Sequence, residues 1–249
     1  MKKSLILSSI LVSVFLVVHN VYAQESAIDY KQLIAKCSEV IKQAKSYNVK
    51  MEYKNSFTIN SQENKSDSAE LQIAFISPDR FKMTQVINEG SDEGLWDGWI
   101  VIGSDYYVLK PVFGWAKEDD DNRRTMCKAY SPEGIIKQLE GIEKEYKRDS
   151  ISSAAKDGIE YFVIKYLFGK ESVNMESLPP ELGNSKINGI CEIWINKNNY
   201  LPLKQSEEVS YYSNEQNKGA SSTDISYFSY NDDEIKIDAP IPGTHHLIN

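Results

Sequence analysis

Histidine is almost missing from this 249-residue chain: it has three, and two of them, His245 and His246, stand side by side at the C-terminus. A serine or cysteine nucleophile needs a base held rigidly beside it, and a chain end is a poor support for one. The three cysteines, Cys37, Cys127 and Cys191, are spaced too widely for a CxxC redox or zinc motif. GxSxG, HExxH and phosphate-cradling glycine loops are also absent. Basic residues are the minority, 28 Lys and Arg against 36 Asp and Glu, for a net charge of −8. Nucleic-acid and anionic-membrane surfaces need positive patches, so neither is an expected partner. The acidic run Glu118 to Asp121 lacks the alternating oxygen ligands and turn glycine of a calcium loop and reads as a solvated hairpin tip. These absences point to binding rather than catalysis, with no cofactor and no metal. A hydrolase using paired carboxylates stays a rival, because so many acids always offer pairs.

The first residues read as an export signal. Lys2 and Lys3 precede an apolar run from Leu5 to Val18, and Val21-Tyr22-Ala23 supplies small residues before a cut at Gln24. The run is shorter than the roughly 20 residues that span a bilayer, and no cysteine near the cut would take a lipid anchor. Cleavage after Ala23 leaves 226 of the 249 residues, loses two lysines and no acid, and moves the net charge from −8 to −10. One soluble domain over 24–249, in the periplasm, is the expectation. No later segment is long and apolar enough to cross a membrane.

Within that domain, Tyr30, Leu33, Ile34, Cys37, Val40, Ile41 and Ala44 recur at helical spacing, with lysines on the other face. Period two follows. Val49, Met51, Tyr53, Phe57 and Ile59 alternate with Lys50, Glu52, Lys54, Ser56 and Thr58. Ala69, Leu71, Ile73 and Phe75 continue the pattern after a polar turn, and Phe81, Met83, Gln85 and Ile87 after Pro78-Asp79. Such alternation marks antiparallel strands with one face on a core. Another hairpin joins Trp99–Ile102 to Tyr106–Leu109. Ser131-Pro132-Glu133 starts a short second helix with Ile135, Ile136, Leu139 and Ile142 on one face. Strands resume over 146–152, 159–168, 190–195, 200–212 and 221–230, two of them apolar on both faces. Residues 175–186, with Pro179-Pro180 and Gly183, read as a loop able to lie across an opening. In an oxidising compartment one cysteine pair could close, and Cys127 with Cys191 is the candidate because Cys37 falls on a helix's buried stripe.

The predicted fold is therefore α+β and mostly β: one highly curved antiparallel sheet, a half-open β-barrel, with helices on its concave face. Fifteen Tyr, eight Phe and four Trp provide broad amphipathic area for holding chains or rings.

Several segments resemble the bacterial lipoprotein-carrier superfamily, the lipoprotein localisation factors and mycobacterial glycolipid-binding lipoproteins. They are the helix leading into the strand Tyr47 to Ile59, then Pro78-Asp79-Arg80-Phe81-Lys82-Met83, then Asp97-Gly98-Trp99 with Tyr106-Tyr107 and Lys110-Pro111. Trp194-Ile195-Asn196, Leu201-Pro202-Leu203-Lys204, Ile225 to Tyr230, Ile235-Lys236-Ile237 and Ala239-Pro240 complete the order. The resemblance implies acyl chains held in an apolar cavity under a helical lid, for transport of lipid or acylated lipoprotein towards the outer membrane. It also implies a chaperone-like role, a membrane-bound donor or acceptor protein as partner, and Arg80 as a lid contact. The segment from Gly169 to Lys186 has no counterpart in that family's pattern. Expected cavity residues are Tyr53, Phe57, Leu71, Phe75, Phe81 and Met83 on the sheet, and Leu33, Val40, Ile135, Ile136 and Leu139 on the helices. A second reading keeps the same half-barrel as an envelope sensor that binds a lipoprotein or a membrane partner.

Overall fold

A computed structural model describes residues 29–89, 92–110, 113–119, 125, 127–172, 180–182 and 184–243. The export segment through Ala23, Asp120 and Asp121 of the acidic run, His245, His246 and residues 173–179 lie outside the described residues. The chain divides into two compact units, residues 1–36 and 37–249. Helix α1, Tyr30–Gln43, spans the division and carries the expected stripe. Leu33 and Ile34 are buried in its first half, Cys37 and Ile41 in its second.

The second unit is built on one sheet. Its strands are β1 (Ser46–Ile59), β2 (Gln62–Ile76), β3 (Arg80–Glu89), β4 (Asp92–Ile102), β5 (Asp105–Lys110) and β6 (Gly114–Glu118). Helix α2 (Pro132–Glu145) follows, then β7 (Lys147–Lys156), β8 (Ile159–Phe168), β9 (Lys186–Asn196), β10 (Pro202–Asn214) and β11 (Asn217–Phe228). The spatial order is β6-β5-β4-β3-β2-β1-β11-β10-β9-β8-β7. Each neighbouring pair is antiparallel, and β6 and β7 are the two edge strands, not paired with each other among the described residues. The result is a curved, unclosed sheet of eleven strands, with α2 on its concave face. Register shifts between Asn55 and Phe57, Arg148 and Ser150, and Pro202 and Lys204 add local bends to the ordinary right-handed twist. Strand β6 is absent from the sequence reading because it is only five residues long and abuts the acidic run.

The register identifies the faces, since residues directly opposite share one. On the inner face lie Tyr47, Val49 and Met51, opposite Phe75, Ile73 and Leu71. Phe81 and Met83 continue that face on β3, Val101 and Trp99 on β4. Tyr227 and Ile225 carry it to β11, and Ile193 and Ile164 to β9 and β8. Helix α2 is held at both ends against this face. At its start the Tyr47 hydroxyl donates to the Tyr130 carbonyl oxygen at 2.6 Å. Past its end Tyr146 stacks on Phe168, centroids 4.3 Å apart, and donates to Glu207 at 3.2 Å. Ile135, Ile136 and Leu139 are the buried side of this amphipathic helix. The short turn Pro180–Leu182 packs on β10 and β11 with Leu182 fully buried. Cys127 and Cys191, the candidate disulfide pair, are free buried thiols, as is Cys37.

A smaller core covers part of the outer face. Ile100 and Trp115 pack with Ile237 of the C-terminal segment, flanked by Ile76, Ile102 and Leu109. The Gly243 amide donates to the Trp115 carbonyl oxygen at 3.0 Å, and Arg80 reaches the Ile237 carbonyl oxygen at 3.4 Å. Arg80 is thus a correction to the expectation of a lid contact: it neighbours Phe81 in sequence, so period two turns it to the opposite face. Trp115→Ala is expected to cost about 3–5 kcal/mol, the range for emptying a buried aromatic site, measured by urea denaturation. A loss near zero would mean that the C-terminal segment contributes no core.

Candidate functional site

Ser131 caps α2 from extended backbone, φ −73° and ψ 163°, and its hydroxyl accepts from the Gly134 amide at 3.2 Å. Pro132 occupies the first helical turn, where its missing donor costs nothing. Glycine is required at 134 by space: a β-carbon there would run into the carbonyls of Lys128 and Ala129. This tight turn brings the start of α2 over the β2–β3 and β4–β5 turns and leaves a cleft of about 680 Å³ between helix and sheet.

The cleft has an apolar floor and a charged mouth. Phe81 and Val101, directly opposite each other on the inner face, form the floor beside Pro78. Asp79, Gly103 and Ser104 line the sheet wall, and Lys128, Glu133 and Lys137 line the helix wall. Behind the floor an aromatic row leads into the middle of the sheet. Phe81 to Phe75 is 5.1 Å between centroids, Phe75 to Tyr47 4.8 Å and Tyr47 to Tyr230 5.5 Å. A second hollow, about 520 Å³, lies across the outer ends of β1, β2, β10 and β11. Serines 56, 68, 210, 221 and 222 make up half of its lining, with Val209 and Ala220 among the rest.

The expected cavity residues are distributed unevenly. Phe81 lines the cleft; Phe75 and Met83 are fully buried behind it on the same face, and Leu71 is buried farther along. Tyr53 shares that face at the middle of β1 but is 37% exposed. Phe57 lies over Gly219, whose missing side chain makes room for the ring, and meets Tyr211 at 5.8 Å. Ile135, Ile136 and Leu139 are buried on α2, Val40 is half-buried on α1, and Leu33 is buried within residues 1–36. Sequence reading missed Val101 as floor, although it keeps the alternation of Trp99, and it missed Asp79, Lys128 and Lys137 as mouth residues. The charged three are brought together only by the turn preceding α2 and leave no periodic trace.

Glu207 was also missed. It interrupts the apolar parity of Val209 and Tyr211 on β10, facing Cys191 and Thr223. Burial pushes its carboxyl above the ordinary value, and the Tyr146 hydroxyl partly opposes that shift. Burial also raises the thiols, Cys37 and Cys191 to about 12 and Cys127 to about 11, so none is a thiolate near neutral pH. Among the described residues no group of His, Cys, Asp and Glu gathers as a metal site, and no helix is long and apolar enough to cross a membrane.

No family model and no curated protein matches the chain. Among solved structures it is similar to LprF from Mycobacterium bovis at 12% identity, covering 84% of this chain and 95% of that one, with TM-score 0.46. It is also similar to the lipoprotein LppX of Mycobacterium tuberculosis, at 15% identity, 84% and 100% coverage and TM-score 0.44. A LolA superfamily protein from Nitrosomonas europaea gives 13%, 82% and 93%, and 0.28. At such identities and scores, function rests on the chain's own residues.

Two outcomes follow from the site. Gly134→Ala is expected to destabilise by about 1–3 kcal/mol, as overpacking against backbone does; an unchanged urea midpoint would mean that the turn can open freely. Glu207→Gln is expected to stabilise at pH 7. With its folded value raised, Glu207 keeps its proton to higher pH in the native state than in the unfolded chain, so native stability falls as pH rises through that window. The benefit of glutamine should therefore shrink on acidification and vanish by about pH 3.5, below the ordinary glutamate value. A constant difference at both pH values would contradict a titrating cause.

Proposed function

We propose that the protein is an exported envelope carrier that binds one acyl chain of a lipid or lipoprotein on the inner face of its half-barrel, with no catalytic step. The observation that supports this reading is the cleft under the start of α2: an apolar floor of Phe81 and Val101 continuous with buried aromatics, opening through a polar mouth. That division suits an amphiphile, whose tail gains about 0.8 kcal/mol per buried CH₂. Ten such groups would give a gross gain of about 8 kcal/mol, the scale of a micromolar complex before ordering costs are subtracted. The cleft volume, about 680 Å³, lies in the ordinary range for small-ligand sites. Deeper seating requires α2 to lift from the inner face, and its two anchors, at Tyr130 and Tyr146, are the contacts that would yield. Export through removal of the first 23 residues and delivery in the periplasm belong to the same proposal.

The purified protein is expected to bind a fluorescent fatty acid and to release lipid on solvent extraction, read by mass spectrometry. Ser104→Trp, which places a large ring in the mouth without touching the core, should weaken the probe by about tenfold, equivalent to ~1.4 kcal/mol. Absence of both probe binding and extractable lipid would sink the carrier reading. Undiminished binding in Ser104→Trp would move the site away from this cleft.

A further inference from the structure

The geometry points to a headgroup preference at the cleft mouth: a zwitterionic phospholipid, carrying one phosphate and one ammonium, over an anionic lipid or a fatty acid. This inference rests on the acyl-chain reading above and adds the identity of the polar end.

The mouth holds two acids and two bases, and they are not mixed at random. On the sheet wall the acid is Asp79, whose carboxylate leans over the bare Gly103 in the facing turn. On the helix wall stand both lysines, Lys128 just before α2 and Lys137 one turn past Gly134, together with Glu133. The same wall contains the N-terminal end of a 14-residue helix, whose dipole favours an anion there. A phosphate is therefore matched to the helix wall and an ammonium to Asp79 across the cleft. The tail between them lies on Phe81 and Val101.

An anionic lipid fits less well for two reasons. Its headgroup leaves Asp79 covered without a counter-charge, and a desolvated, unpaired carboxylate is costly. It must also approach a chain of net charge −8, or −10 once the first 23 residues with their two lysines are removed, whose field repels it. A fatty acid shares the first defect. The zwitterion instead meets a mouth whose formal charges cancel.

Displacement of a bound fluorescent fatty acid tests this on the protein purified as its host makes it. The competitors are lysophosphatidylethanolamine, lysophosphatidylglycerol and the free fatty acid, all with one palmitoyl chain. Lysophosphatidylethanolamine is expected to displace the probe at a concentration about fivefold below that of lysophosphatidylglycerol, the scale of one partly exposed charge pair. Asp79→Asn, at an exposed turn, should abolish that ratio by weakening the ethanolamine lipid alone. Lys128→Gln with Lys137→Gln should weaken both lysolipids, with unchanged circular dichroism in every variant. Equal competition by the two lysolipids, or a ratio that survives Asp79→Asn, overturns the headgroup inference while chain binding stands. Failure of the probe to bind at all overturns the carrier reading and this inference with it.

Discussion

The pairing of β1 with β11 is the constraint on which the rest of the second unit depends. It joins Asn48–Thr58 to Phe228–Lys218, segments about 170 residues apart, and through them unites β2–β6 with β7–β10. On the inner side it sets Val49 against Tyr227 and Met51 against Ile225, so side-chain burial reinforces the ladder. Closing so long a loop costs entropy that only a large buried face recovers. Once the two halves are one sheet, eleven twisted strands cannot remain flat, and curling creates an inside.

That inside is asymmetric. The β1–β4 half is lined by Tyr47, Phe75, Phe81, Met83, Trp99 and Val101, all buried. Across β10 and β11 the same face mixes Gln205, Glu207, Ser221 and Thr223 with Val209, Tyr211, Ile225 and Tyr227. Helix α2 bridges the two, tied to the aromatic side through Tyr130 and to the polar side through Tyr146. The apolar cleft opens at the aromatic end because the short, capped turn before α2 stands off the sheet there, while at the other end Tyr146 lies flat on Phe168. Glu207 is the opposing feature, a carboxylate kept in a poorly solvated place that weakens the fold at neutral pH.

Much of this is legible in the sequence. Period two in residues 47–59, 69–75 and 81–87 named strands and their inner side, and Phe75, Phe81 and Met83 lie where that alternation puts them. The serine-proline start of α2 and its Ile135, Ile136 and Leu139 face were equally plain. Arg80, the lid contact that the motif resemblance implied, lies on the other face: neighbours in a strand point to opposite faces, and Phe81 takes the inner one. Tyr53 and Phe57 keep the inner parity but lie in the second half of β1, where Tyr53 meets solvent and Phe57 covers Gly219.

What the chain's order of residues determined by itself is local: which segments are strands, which side of each is apolar, where α2 begins and how few groups are available for catalysis. These follow from periodicity, capping chemistry and composition, which act within a few residues. Only the tertiary structure decided that β1 and β11 meet, that the outer face takes Ile237 as cover, and that Asp79, Lys128 and Lys137 share one cleft mouth. Those outcomes depend on which distant apolar surfaces bury one another best, a competition among the whole set of faces that no single window of sequence contains.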